Sequence, residues 1–196
     1  MIYGQVHVDG ITMATHRLFT AIDIGARQPL VDIERQLADT GASLKLVDPE
    51  NIHVTLKFLG DTDEAKIPAV EDAMRTAAAA VEPYQASLQG MGVFPHPGYI
   101  KVIWIGVDDD GQTTAIAERM ENELAKQGFK KEKHEFTPHA TIARMKGARG
   151  KNAVRELVQQ HENTDFGMLE VTGIQLKKSE LQPDGPVYTT LSTIEL

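Results

Sequence analysis

Apolar positions change their period repeatedly along this chain, and the changes predict an alternation of strands and helices. "RLFTAIDI" (17–24) is short and apolar with β-branched residues, which predicts a strand. "PLVDIERQLADTG" (29–41) shifts to a helical period between an entering proline and a closing Gly41. "ASLKLV" and "NIHVTLKFLG" read as strands. A helix then runs through an alanine-rich stretch to about Val81, capped by Asp61 or Thr62, with Glu64 three residues after Asp61 as in a capping box. A strand follows from about Tyr84 to Phe94, and the turn "PHPG" (95–98) opens a second series. "YIKVIWIGV" (99–107) alternates as a strand, and "GQTTAIAERMENELAKQGF" reads as a helix closed by Gly128. An extended piece near Phe136 leads to the strand "HATIARM" and the helix "KNAVRELVQQHE". Two last strands, about 166–178 and 187–195, are joined by the turn in "QPDGP". The order is β-α-β-β-α-β over about 17–95, then the same again with an extra strand over 99–196. The class is α+β.

The repeat extends to side chains. "ENIHVTLKFLG" (50–60) and "TPHATIARMKG" (137–147) carry His-x-Thr in equivalent slots, each on the strand before the second helix of its half. Side chains alternate along a strand, so His53, Thr55 and Lys57 are expected on one face, with Val54, Leu56 and Phe58 buried beneath helices on the other. His139 and Thr141 share a face by the same rule, opposite Ala140 and Ile142. Strict parity sets Arg144 opposite His139, which ranks Lys57 above Arg144 as a cleft residue. A lone His-x-Thr is ordinarily a cross-strand pair or an exposed edge. Two in corresponding strands point instead to two halves that bring their His/Thr faces together across a cleft.

Composition sets limits on the chemistry. With 196 residues, 41% hydrophobic and 24% charged, the chain suits one or two globular domains. It has no cysteine, which excludes disulfides, thiolate zinc sites and a cysteine nucleophile. No apolar run approaches the roughly 20 residues of a membrane span, and the first residues lack the pattern of a signal peptide, so a cytoplasmic protein is expected. The formal charge of −8 disfavours nucleic acid at first sight. The stretch from Lys126 to Arg155, however, holds nine Lys or Arg against Glu132 and Glu135, and it encloses the second His-x-Thr. Such a run reads either as a solvated face or as a positive field drawing a phosphate to that motif.

Two histidines in one cleft can stand as one neutral base and one protonated acid near neutral pH. That pair suits displacement at phosphorus: one imidazole activates water while the other protonates the departing alkoxide. Threonine hydroxyls can donate to the non-bridging oxygens. Zinc is the rival use of two histidines, but a catalytic zinc site takes three protein ligands, threonine is a poor one, and His7, His16, His96, His134 and His161 lack ligand spacing. No phosphate-cradling Gly-rich loop, Gly-x-Ser-x-Gly or His-Glu-x-x-His is present. No metal or other cofactor is expected.

The blocks "RLFTAIDI", "PENIHVTLKFLG", "FPHPGYIKVIWIGV", "FTPHATIARMKG" and "LKKSELQPDGPVY" together resemble the RNA 2′,3′-cyclic phosphodiesterases, also called 2′-5′ RNA ligases, of the LigT-like branch of the 2H phosphoesterases. The resemblance covers about Arg17 to the end and implies a single bilobal domain over 17–196, its lobes intertwined and its antiparallel sheets flanking a central cleft. It implies metal-independent hydrolysis of an RNA terminal 2′,3′-cyclic phosphate to a 2′-phosphate, with His53 the general acid and His139 the general base. Thr55 and Thr141, with Lys57 and Arg144, are the expected substrate contacts. The expected partner is RNA or a nucleotide with that cyclic end, and the chain is expected to act as a monomer. A non-catalytic RNA-end binder and ATP-independent 2′-5′ end joining on the same site are the competing readings. Residues 1–16 precede the family's usual start. They remain an extension of open status, with Met13 a second candidate initiator.

Overall fold

The computed structural model describes residues 7–8, 11–12, 14–183 and 185–196. Strands β1 (His7–Val8) and β2 (Ile11–Thr12) pair with each other as a two-stranded ribbon. Most of the first thirteen residues, Met13 included, lie outside the described residues, and so does the status of the extension. The remaining elements are β3 (Thr15–Asp23), α1 (Gln28–Asp39), β4 (Leu44–Leu46), β5 (His53–Asp63), α2 (Ile67–Ala78), β6 (Tyr84–His96), β7 (Tyr99–Asp108), α3 (Gln112–Lys126), β8 (His139–Met145), α4 (Lys151–Gln160), β9 (Asp165–Val171), β10 (Gly173–Gln182) and β11 (Gly185–Glu195).

Among the described residues, nine strands form one antiparallel sheet in the order β11-β10-β3-β5-β8-β7-β6-β9, with β4 attached to β8. The two His-x-Thr strands are neighbours at its centre, yet they share a single residue pair, Val54 opposite Ala140. This narrow joint divides the sheet into two lobes. The first, β11-β10-β3-β5, packs on α2 and α3, and the second, β8-β7-β6-β9 with β4, packs on α1 and α4. Each lobe draws elements from both halves of the sequence. The apolar stripes of the helices fill the core, Leu30, Ile33 and Leu37 from α1 and Ile116, Met120 and Leu124 from α3 being almost fully buried. Truncating a fully buried Leu such as Leu30 to Ala costs roughly 2–5 kcal/mol.

Four expectations are corrected. First, β5 stays in the ladder with β3 as far as Asp63, so Asp61 and Thr62 are strand residues and cap nothing. The carboxylate of Asp63 accepts from the Ala65 amide at 2.9 Å, heading a single 3-10 turn (Glu64–Lys66) before α2 begins at Ile67. Second, no strand forms near Phe136. Third, the stretch 166–178 is two strands: β9 ends against β6, and β10 begins against β11 at the other side of the sheet. The break falls at Thr172, and Gly173 lets the backbone pass close to the Ile194 carbonyl, which a Cβ would meet at 2.8 Å.

The fourth correction decides the site. Opposite β3, Ala21 pairs with Thr55 and Thr20 with Lys57, so Leu56 is an extra residue in β5. Opposite β7, Trp104 pairs with Thr141 and Ile103 with Ala143, so Ile142 is extra in β8. Each strand therefore carries a bulge just after its histidine–threonine pair, and alternation inverts beyond it. Lys57 turns to the helix side and is 3% exposed, whereas Phe58 turns outward and is 63% exposed. By the same inversion Arg144 joins the face of His139 and Thr141.

Candidate active site

The first histidine is set by a short turn. Pro49–Asn51 forms one 3-10 turn whose first amide-bearing residue, Glu50, donates its N–H to the Asp48 carboxylate at 3.2 Å. Buried Ile52 anchors the turn, its carbonyl accepting from the amides of Ile24 and Gly25. The Asn51 carbonyl then lies 2.7 Å from Nδ1 of His53. A carbonyl only accepts, so Nδ1 carries the proton and Nε2 is the nitrogen left for chemistry. Nε2 lies 3.1 Å from the Thr55 hydroxyl. The ring is held between Phe19, at 5.0 Å between centroids, and Tyr188, edge-on at 5.4 Å.

The second histidine repeats the design. Nδ1 of His139 lies 2.7 Å from the Thr137 carbonyl, again two residues back, and the strand start is fixed by the Val107 amide donating to the Pro138 carbonyl. Phe94 stands edge-on to the ring at 4.9 Å and Trp104 lies 6.2 Å away. Trp104 rests on Gly92, where any Cβ would collide with the indole. Both rings thus present Nε2 from matching positions.

His53, Thr55, His139, Thr141 and Arg144 line one cleft of about 1040 Å³. Burial is the first cause that lowers the pKa of both histidines. In each, the carbonyl on Nδ1 pulls the other way, and Arg144 lowers both. His53 also feels Lys177, which lowers it, and Asp23, which raises it. These two form an ion pair of their own at 2.7 Å. Two mostly neutral imidazoles beside a guanidinium form a site prepared for an anion, whose arrival favours protonating one of them.

Lys57 lies away from this cleft. Its ammonium, 2% exposed, sits 2.6 Å from Glu121 of α3 and donates to the Lys130 carbonyl at 2.8 Å. The expected ranking of the two cations is reversed, because each bulge moves its strand's next polar residue to the other face. The basic stretch also divides. Arg144 and Lys146 line the cleft, while Lys126 pairs with Glu123, Lys131 with Asn122, Lys151 with the Gly98 carbonyl and Arg155 with Asn152. Of the aromatics that could stack on a base, Tyr188 lines the cleft, Phe19 lines it but is 3% exposed and packed against His53 and Tyr188, and Tyr99 and Trp104 do not line it.

Sequence reasoning missed Phe58, Lys45 and Glu34, which also line the cleft. One signal for Phe58 was present: it stands five residues after His53, as Arg144 stands five after His139. For Glu34 the signal was a carboxylate in the apolar stripe Leu30, Ile33, Leu37. Among the described residues, no three His, Asp or Glu converge as a metal-ligand set.

A curled antiparallel sheet of this kind is the architecture of the solved LigT structures. The protein TT0787 of Thermus thermophilus superposes with a TM-score of 0.78 at 28% identity, over 92% of this chain and 97% of its own. E. coli LigT complexed with 3′-AMP superposes with a TM-score of 0.71 at 22% identity, over 93% and 99%. The chain belongs to the 2′-5′ RNA ligase superfamily, whose family model matches residues 23–182. Among curated relatives, the RNA 2′,3′-cyclic phosphodiesterase of Methanothermobacter thermautotrophicus is 37% identical over 92% of this chain and 98% of its own length. That of Aeropyrum pernix is 38% identical over 85% and 94%.

Proposed function

We propose that this protein is an RNA 2′,3′-cyclic phosphodiesterase that hydrolyses a terminal 2′,3′-cyclic phosphate to a 2′-phosphate. The observation that carries the reading is the convergence of both His-x-Thr pairs and Arg144 on one cleft, in a chain whose relatives bear that name. His139, with its proton held at Nδ1 by Thr137, has a lone pair at Nε2 and takes a proton from water as it attacks phosphorus. The bond from phosphorus to the 3′-oxygen breaks, and protonated His53 delivers its Nε2 proton to that oxygen. Thr55, Thr141 and Arg144 donate hydrogen bonds to the non-bridging oxygens as negative charge gathers there. Lys57 has no part in this step.

The same proposal has the enzyme act as a monomer, since one chain supplies every group named, and in the cytoplasm, where an RNA substrate would be met. No helix among the described residues is long and apolar enough to cross a membrane. A non-catalytic binder would have no use for two matched proton-transfer groups. The test is incubation with a nucleoside 2′,3′-cyclic phosphate in excess chelator, with the product identified by phosphorus NMR. A 2′-phosphate is expected; a 3′-phosphate, or no turnover, would overturn the reading. Alanine at His53 or His139 should each lower the rate about 10²–10⁴-fold. A leaving group that needs no proton should rescue His53→Ala and leave His139→Ala slow.

A further inference from the structure

The cleft continues past the histidines along β8 to β4 and α1, and it is larger than one nucleotide requires. Glu34 lies at this far end. It is 4% exposed, on the core-facing stripe of α1, and its Oε1 has no hydrogen-bond partner among the described residues. Leaving a buried carboxyl oxygen unpaired is costly, and an apolar residue would serve packing better. Val31, Leu46 and Val47 give the surrounding wall an apolar character. Between this pocket and the histidines runs a row of cations: Arg144 faces Lys45 directly across the β4–β8 ladder, and Lys146 follows. Apolar walls, one unpaired hydrogen-bonding group and a cationic rim are what a nucleotide needs: a slot for a base, a partner for its edge and a seat for a phosphate.

We infer that this end of the cleft is a subsite for the nucleotide preceding the cyclic-phosphate end, with the Glu34 carboxyl bonded to the edge of its base and Arg144 and Lys146 flanking the connecting phosphate. The inference rests on the function proposed above. Burial, with the nearby Asp48 adding to it, raises the Glu34 pKa to about 7. The neutral carboxyl offers one donor and one acceptor. That pair matches the ring nitrogen and exocyclic amine of adenine or cytosine, whereas guanine presents two donors and calls for a carboxylate.

The test compares 2′,3′-cyclic AMP with the dinucleotides ApA and GpA carrying the same cyclic end, at pH 6. In the wild type, ApA should exceed the mononucleotide in kcat/KM, and exceed GpA, by about tenfold each. Glu34→Leu should abolish most of both ratios and raise Tm by removing the unpaired carboxyl. Glu34→Gln, whose amide keeps a donor and an acceptor, should retain the preference for ApA. Equal handling of ApA and mononucleotide by the wild type, a lower Tm for Glu34→Leu, or loss of preference in Glu34→Gln as complete as in Glu34→Leu would each overturn the subsite. Failure of the wild type to cleave any of the three would instead overturn the proposed function.

Discussion

Lys57 sits four residues after a histidine of the cleft, and replacing it should nevertheless lower stability and leave chemistry in place. Its ammonium is 2% exposed and bound to Glu121 at 2.6 Å and to the Lys130 carbonyl at 2.8 Å, with Glu132 at 3.9 Å. Lys57→Met keeps the chain length, removes the charge and leaves the other groups without their partner. Breaking a buried ion pair from one side costs roughly 3–5 kcal/mol, and Glu121, 21% exposed, recovers part of this from water. A loss of about 3 kcal/mol is therefore expected. For a chain of this size that lowers Tm by about 6–12 °C. Thermal unfolding followed by circular dichroism measures the first effect, and kcat/KM for a nucleoside 2′,3′-cyclic phosphate at 25 °C should stay within about threefold. Adding Glu121→Leu removes the stranded charge and should restore most of the lost stability. A tenfold fall in kcat/KM with unchanged Tm would refute this account and return Lys57 to the substrate.

The pH dependence of kcat/KM should be bell-shaped. Activity falls at low pH as His139 gains a proton and at high pH as His53 loses one. Because burial lowers His53, the midpoint of the alkaline limb should lie below 6.5, and a profile flat to pH 8 would refute the assignment. Arg144→Met should lower kcat about 10–10³-fold by removing a donor to the phosphate oxygens. It should also move both limbs of the profile to higher pH, since Arg144 lowers both histidines; a steady-state pH series checks it. Gly92→Ala should force the Trp104 indole from its seat near His139, costing about 1–3 kcal/mol of stability, and activity should fall below the unfolding temperature as the ring loses its support. Unchanged melting and kinetics would show that Trp104 does not position the histidine.

Most of the element order, apart from the strand expected near Phe136 and the break at Thr172, and the equivalence of the two histidine strands were legible because both rest on local signals: apolar period, breakers and a repeated tripeptide in a repeated slot. The faces beyond Thr55 and Thr141 were not. A bulge is a relation between two strands, visible only where Leu56 has no partner on β3 and Ile142 none on β7, so counting along one strand gives the wrong parity. That error exchanged Lys57 for Phe58 and demoted Arg144. The break at Thr172 was hidden for a similar reason. The apolar parity does shift there, from Leu169 and Val171 to Ile174 and Leu176, but within one strand such a shift reads as a bulge, and only the change of pairing partners shows it to be a break. Glu34 escaped notice because its meaning depends on what α1 packs against.

The intertwining of the lobes also constrains when the protein can begin to work. Strand β3, early in the chain, is flanked in the sheet by β5 and by β10, and β11 completes that lobe while bringing Tyr188 to the edge of His53. A chain growing from its N-terminus thus carries both His-x-Thr strands well before the strands that wall in the first of them exist. Pairings this distant in sequence form late and slowly, because the loop between them must close before any contact repays it. Neither sequence half holds a complete lobe, so no fragment ending before β11 has a finished cleft. A chain that has not yet made β11 is therefore expected to lack the wall that Tyr188 gives His53, and with it the finished site.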